Sequence, residues 1–255
     1  MKIGFLLCAY NQEEFIHDCL RDLVKFSKEN GHIISAASVP FKEYEDMGVE
    51  SDDTTNILKE RLFWMDIDYL IDEPKFISEA EARTLALNPI LEEECTHLFM
   101  LDSDEIFSYE QLNNIVNFIA KDPFIDWYSI SYKNYVGNGY LEEPFTPPRI
   151  FKVNVKGGKL KEFYWDNDLV YEIDGEKVDY KSLSNKIVPK EIANPDHFSW
   201  TNTEKNKSKI KYHEIHFGPP KGTGCSYKWD ETQGIIINPE YYQKIGQTPP
   251  KIIYE

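Results

Sequence analysis

Four times in the first 120 residues a short apolar run gives way to a segment with helix-start signals. Residues 2–9 (KIGFLLCA) suit a strand buried on both faces, and His32 to Val39, Asp68 to Ile71 and His97 to Leu101 read as three more. Asn11 with Glu14 forms an N-cap and capping-box pair ahead of Phe15, Cys19, Leu20, Leu23 and Phe26, and Asn30-Gly31 closes that helix. Ser51-Asp52-Asp53 caps a second helix through Thr54 to Trp64. Ser78 with Glu81 opens a third, and a fourth runs from Tyr109 to Ala120. Parallel strands need such crossovers, so the alternation predicts an α/β chain with a mostly parallel mixed sheet flanked by helices. Ligands of such sheets bind at the carboxyl ends of strands, where connections diverge. That condition selects Ala9-Tyr10-Asn11, the loop after Val39, and Asp102-Ser103-Asp104. The second half is less regular: FIDWYSISYKNYVGNGY, RIFKVNV and DLVYEID read as strands between glycines and prolines, and no linker demands a second core.

Charge removes one large class of function. With 28 Lys+Arg against 44 Asp+Glu, the net charge of −16 leaves no broad cationic face for nucleic acid. One segment departs from this balance: Lys205, Lys207, Lys209, Lys211, Lys221 and Lys228 lie close together with His213 and His216, enough to approach a diphosphate or anionic headgroups. The four cysteines are widely spaced, with no CxxC, which suits a reducing compartment. No apolar stretch approaches a membrane span and no leader-type cleavage site follows the first strand. The expectation is a soluble, cytoplasmic protein with peripheral membrane association still open.

The apolar run HLFMLDSDEIF (97–107) stops abruptly at Asp102-Ser103-Asp104-Glu105. Asp-x-Asp occurs three times, at Asp66/Asp68, Asp102/Asp104 and Asp166/Asp168, and with 18 Asp in 255 residues about one such pair arises by chance. Only Asp102/Asp104 closes a buried strand, where two carboxylates can share one crevice. Hard cations such as Mg²⁺ or Mn²⁺ take carboxylate oxygens and share their remaining positions with substrate phosphates. The alternative is that Asp102 or Ser103 merely caps the next helix. HEIH (213–216) is one residue short of a zincin motif, and GPPKGTG (218–224) lacks the ending of a phosphate loop.

AYNQEEF after the first strand, EAEARTLAL before the fourth and LFMLDSDEIF together resemble a family 2 glycosyltransferase with the GT-A fold. PRIFK (148–152) and HFSWTNTEKNKSKIKYHEIHF (197–217) resemble later stretches of that family, so the likeness covers about residues 1 to 217. It implies one continuous catalytic domain, with residues 1–122 as the nucleotide-sugar-binding half and 123–255 as the acceptor-binding half and C-terminal extension. Asp104 would ligate the Mn²⁺ or Mg²⁺ that bridges the nucleotide diphosphate, with Asp102 on the ribose or the metal. Ala9, Tyr10 and Asn11 would line the nucleoside pocket, Arg83 would sit near the diphosphate, and His197 would complete the metal site or orient a phosphate. Relatives usually end the second strand with Asp-Asp-Gly-Ser. Here IISAASVPF has no acid, and Asp53 in Ser51-Asp52-Asp53-Thr54-Thr55 stands as a delayed equivalent, which leaves the preference for a UDP-sugar open.

Sugar transfer requires charge stabilisation on the leaving diphosphate, which the metal, Arg83 and Lys209 would supply. It also requires a carboxylate to take the proton of a glycan or other hydroxyl acceptor, with inversion if displacement is direct. Glu172 in VYEID is the first candidate, because relatives often carry His-Glu there; Asp166 in YWDND is the second. Tyr164, Trp165 and Trp200 are candidate sugar-stacking rings. A nucleotidyltransferase, or a non-catalytic carbohydrate-binding protein on the same fold, are the alternative readings.

Overall fold

The computed structural model describes residues 1–38, 51–72, 78–165, 168–201, 206–207, 209–210 and 225–254. Asp166, and with it Lys205, Lys211, Lys221, His213 and His216, lie outside the described residues. In chain order the first half runs β1 (Ile3–Cys8), α1 (Ile16–Asn30), β2 (Ile33–Ala37), α2 (Thr54–Phe63), β3 (Tyr69–Ile71), α3 (Glu79–Glu92), β4 (His97–Asp102), β5 (Glu105–Ile106) and α4 (Tyr109–Ala120). Then follow β6 (Trp127–Ile130), β7 (Lys133–Gly137), β8 (Gly139–Leu141), β9 (Pro148–Lys152), β10 (Asn154–Val155), β11 (Gly158–Trp165), β12 (Asp168–Ile173), β13 (Glu176–Asp179) and β14 (Asn185–Val188). The chain continues with β15 (Asp196–Thr201), β16 (Tyr227–Asp230), β17 (Gly234–Ile237), α5 (Pro239–Lys244) and β18 (Ile252–Tyr254).

Two compact units result, one of residues 1–131 with 146–195 and the other of residues 132–145 with 196–255. β6, β9 and β14, all beyond residue 122, complete the sheet begun by β1.

The first unit holds a seven-stranded sheet in the order β14-β6-β9-β4-β1-β2-β3. β1 pairs in parallel with both β2 and β4, β2 with β3, and β14 with β6, while β9 runs antiparallel to β4 and β6. The result is the mostly parallel mixed sheet flanked by helices that the alternation predicts. Both faces are covered, as a central parallel strand requires. Phe5 and Phe99 meet each other and Phe26 of α1 on one side, whereas Leu6, Leu98 and Met100 join Ala82, Ala86 and Ile90 of α3 on the other. A four-stranded antiparallel sheet, β10-β11-β12-β13, adds Leu160, Phe163, Leu169 and Tyr171 to that second core.

Helix boundaries follow the local chemistry with two exceptions. Gly31 closes α1 in the left-handed region, Ser78 caps α3 by accepting from the Glu81 amide, and Ser108 with Gln111 makes a full capping box on α4. Asn11 does not cap α1, which begins at Ile16. Its backbone is left-handed (φ 53°), and its side chain accepts from the Asp52 amide at 3.0 Å. Asp53 occupies the N-cap of α2 without a side-chain cap bond, and Asp52 Oδ1 instead takes the Thr54 amide at 2.9 Å.

In the second unit, β7 and β8 form a hairpin, β15 lies parallel to β7, and β18 lies antiparallel to β8. β16 and β17 make a separate hairpin. Val136, Trp200, Ile210, Tyr227 and Ile235 form its core. No described helix is long and apolar enough to cross a membrane.

One glycine sets how closely α3 approaches the sheet. A Cβ on Gly4 would stand 2.4 Å from Ile90 Cγ2, and Ile90 is fully buried. Gly4→Ala is expected to lower stability by about 1–3 kcal/mol through overpacking, and Ile90→Ala, which removes both Cγ atoms that the new Cβ would meet, to cost less in the Gly4→Ala chain than in the parent chain. Chemical denaturation of the two single variants and the double variant measures this.

Candidate active site

The chain lays β2 and β3 on one side of β1 and returns to place β4 on the other, so connections diverge between β1 and β4. Cys8 and Asp102 are register partners at that carboxyl edge. The β1–α1 loop and the Asp102–Glu105 turn therefore emerge side by side, where ligands of such sheets bind.

Asp102 is the hub of a buried ionic network. Arg83 Nη2, from α3, donates to Asp102 Oδ1 at 2.6 Å, and Arg149 Nη2, from β9, donates to Asp102 Oδ2 at 2.8 Å. Arg149 also grips Glu105 through Nε at 3.0 Å and Nη2 at 2.5 Å. Glu79, one helical turn before Arg83, takes both its Nε and Nη2. The two arginines are 1% and 2% exposed and Glu105 is fully buried, so these charges persist only because they are paired.

Titration follows from that burial. Removal from water pushes the Glu105 carboxyl up to about 7, with Arg149 pulling against it and Asp102 and Asp104 adding to it. Burial works against the Arg83 charge, but Glu79 and Asp102 more than restore it, and its pKa lies well above the usual guanidinium value. Cys19, beneath the turn, has its thiol pushed up by burial and by the carboxylates of Glu105, Asp104 and Asp102.

Asp104, in the same turn, is 4% exposed and adds its negative charge to the field at Glu105. Among the described residues no three His, Cys, Asp or Glu side chains converge as a metal cage. Carboxylate oxygens are the ligands that a hard cation takes, and Asp104 is the candidate ligand of this turn. Asp102, with both oxygens on arginines, serves as their anchor.

The expected nucleoside side is laced together. Gln12 N donates to Thr54 Oγ1 at 2.8 Å, Glu13 N to Asp52 Oδ2 at 3.1 Å, and Asp53 N to Glu13 Oε2 at 2.9 Å. Ala9 is buried and its amide bonds Ala37 O, while Tyr10 and Asn11 are half-buried beside it. The structure thus joins the β1–α1 loop to the Asp52–Thr54 turn, with Asp52 making the closer contacts and Asp53 at the exposed edge.

Glu172 sits on β12 of the small sheet, half-exposed and ion-paired with Lys161 at 3.1 Å. His197 and Lys209 belong to the second unit. His197 is buried against Phe145 and Tyr132, and Lys209 Nζ donates to Ser199 Oγ at 2.6 Å with the Trp200 ring beneath it. Tyr164 is exposed and bonds Asp179, and Trp200 is buried against Tyr227. The other Asp-x-Asp pairs have structural partners: Asp66 holds Lys28 and Arg61, Asp68 accepts from the Ile34 amide, and Asp168 pairs with Lys181. Sequence reasoning missed Arg149 and the anchoring role of Glu105. A cation inside the apolar stretch RIF is the signal that a buried acid must exist to meet it.

No family model and no curated protein matches the chain. Among solved structures it is similar to residues 1–349 of TarS from S. aureus, at 22% identity over 55% of this chain and 38% of that one, with a TM-score of 0.42. The TarS 1–349 complex with UDP-GlcNAc is matched at 21% identity over 53% of this chain and 35% of that one, with a TM-score of 0.41. A mannosyltransferase from Pyrobaculum calidifontis, PcManGT, in complex with GDP-Man and Mn²⁺, is matched at 15% identity over 59% and 44%, with a TM-score of 0.41. The chain spans less than half the length of these structures.

Removing one member of the buried network should cost more than removing a pair. Arg149→Met leaves Glu105 buried without its cation and is expected to lose about 3–5 kcal/mol. Glu105→Gln in the same chain should recover a large part, and urea melts of the singles and the double test the coupling.

Proposed function

We propose that the chain transfers a sugar from a nucleotide-sugar donor to a hydroxyl acceptor, with the donor diphosphate seated against Arg83 at the edge shared by β1 and β4. The observation that carries this is one nitrogen. Arg83 is buried, its Nε and Nη2 are bound, and its Nη1 is buried with no hydrogen-bond partner among the described residues. An orphaned buried donor costs about 1–3 kcal/mol, which a bound acceptor would restore. A phosphate oxygen is an acceptor that suits a guanidinium N–H, and a metal ion on the diphosphate would offset repulsion from the neighbouring carboxylates.

The chain's own residues then divide the work. Glu79 and Asp102 hold the Arg83 fork so that its remaining N–H meets the diphosphate without reorganising. Arg149 and Glu105 hold Asp102 in turn. Ala9, Tyr10, Asn11 and the Asp52–Asp53 turn frame the nucleoside. A Mn²⁺ or Mg²⁺ ion held by Asp104 and by donor phosphate oxygens would neutralise charge on the leaving diphosphate. Glu172, or Asp166, takes the proton of the acceptor hydroxyl, and displacement from the face opposite the diphosphate inverts the anomeric carbon. The resemblance of AYNQEEF, EAEARTLAL and LFMLDSDEIF supports the same assignment.

Calorimetry with UDP-sugars, with and without Mn²⁺, tests the donor site. Asp104→Ala is expected to lose the metal-dependent part of donor affinity, tenfold or more by the ordinary arithmetic of about 1.4 kcal/mol, while the melting temperature is kept. Unchanged affinity overturns the assignment. Glu172→Gln is expected to keep donor binding and to lower kcat by about 10²-fold or more; wild-type turnover in that variant transfers the role to Asp166. Pyrophosphate release from a nucleoside triphosphate and a sugar phosphate would instead identify a nucleotidyltransferase.

A further inference from the structure

The end of α2 carries a feature that the donor site does not use. Leu62, Phe63, Trp64 and Met65 are consecutive and 37%, 76%, 68% and 79% exposed, and Phe63 and Trp64 pack edge to face at 5.2 Å. Four adjacent large apolar side chains at one helix end are unlike the scattered exposed residues common on soluble proteins. Met65 adds an independent observation. It follows the C-cap Trp64 in the left-handed region (φ 55°), a position where glycine is the unstrained residue. The chain there carries an exposed apolar side chain where glycine is the usual residue, with the Met65 amide bonded to Leu62 O at 3.0 Å and the Asp66 amide to Arg61 O at 2.8 Å.

We propose that Leu62-Phe63-Trp64-Met65 is a membrane-contact prong that enters the boundary between headgroups and acyl chains of a lipid bilayer. The chemistry is that of interfacial anchors, in which Trp and Phe seat at headgroup level and aliphatic side chains reach below. The size argues against a second copy of this chain as the occupant. Four such side chains offer roughly 500 Å² at most, against about 800 Å² per partner in a stable protein interface. Charge agrees. In a chain of net charge −16, the described residues on and beside this helix end come close to balance, with Lys28, Lys59 and Arg61 against Glu60, Asp66, Asp68 and Asp72. Lys28 and Arg61 both hold Asp66, and Lys59 holds Asp72, so no cationic excess stands beside the prong to draw it to anionic lipid. Contact is therefore apolar insertion, with little dependence on salt or on anionic lipid.

Co-sedimentation of the full chain with vesicles tests this, using phosphatidylcholine alone and phosphatidylcholine mixed with phosphatidylglycerol, each at low and high salt. The expected result is binding to both compositions that high salt does not abolish. Phe63→Glu with Trp64→Glu should weaken it by about tenfold or more, whereas Phe124→Glu, a change at an isolated exposed ring (85%), should not. Met65→Gly separates contact from folding: it relieves the backbone, so the melting temperature should hold or rise while vesicle binding falls. No binding to either vesicle overturns the proposal, as does binding that the double Glu variant leaves intact or that only anionic vesicles support. A dimer seen by analytical ultracentrifugation and lost in that double variant would assign the face to a second copy instead. Donor binding measured by calorimetry is independent of all these outcomes, so failure here leaves the donor site standing.

Discussion

The carboxylate of Asp102 is shared by two buried guanidinium groups, and the architecture at this edge of the sheet depends on that sharing. Arg83 reaches it from α3 and Arg149 from β9, so one side chain at the end of β4 ties a covering helix to an antiparallel neighbour. Neither arginine is tolerable there alone. A buried guanidinium without its acids, or Glu105 without Arg149, leaves an uncompensated charge in a medium that solvates it poorly. The network is therefore cooperative, and it holds its geometry more rigidly than any single pair would.

Rigidity at that point is what a diphosphate site needs. The sheet places the carboxyl ends of β1 and β4 in register, Cys8 opposite Asp102, and Gly4 lets α3 pack closely enough on the sheet to carry Arg83 to that edge. On the other flank the backbone amides of Gln12, Glu13 and Asp53 are bound to side chains of Thr54, Asp52 and Glu13, so the loop after β1 is held by the turn before α2. The groups proposed to bind the donor are thus held in place by the fold itself, which is how oriented dipoles and charges lower a barrier without reorganising during a reaction.

Much of this was legible residue by residue. Short apolar runs located β1 to β4, and helical spacing with cap residues located the helices between them, because burial on both faces or on one stripe imposes those patterns directly. Ser78 and Gly31 read correctly because a cap is a local bond. Asn11 did not, because its side chain takes the amide of Asp52, 41 residues away, in place of its own helix. Arg149 was hidden for the same kind of reason. RIF reads as an ordinary buried strand, and the acid that makes its arginine tolerable lies 44 residues earlier, on a different element. Asp102 and Asp104 could be singled out together by position, but nothing in LDSDE tells which of the two will be consumed by arginines.

By itself, then, the sequence determined the alternation of strand and helix, the acidic turn at the end of β4 and the choice of the β1–β4 edge, since each depends on neighbours within a few residues and on simple periodicity. The tertiary structure alone decided that the Asp102 carboxylate would be shared by two arginines. It also decided that Leu62 to Met65, apolar residues that composition alone would send inside, face outward. Both outcomes turn on which distant charges and surfaces meet, and long-range pairing is set by packing, not by local pattern.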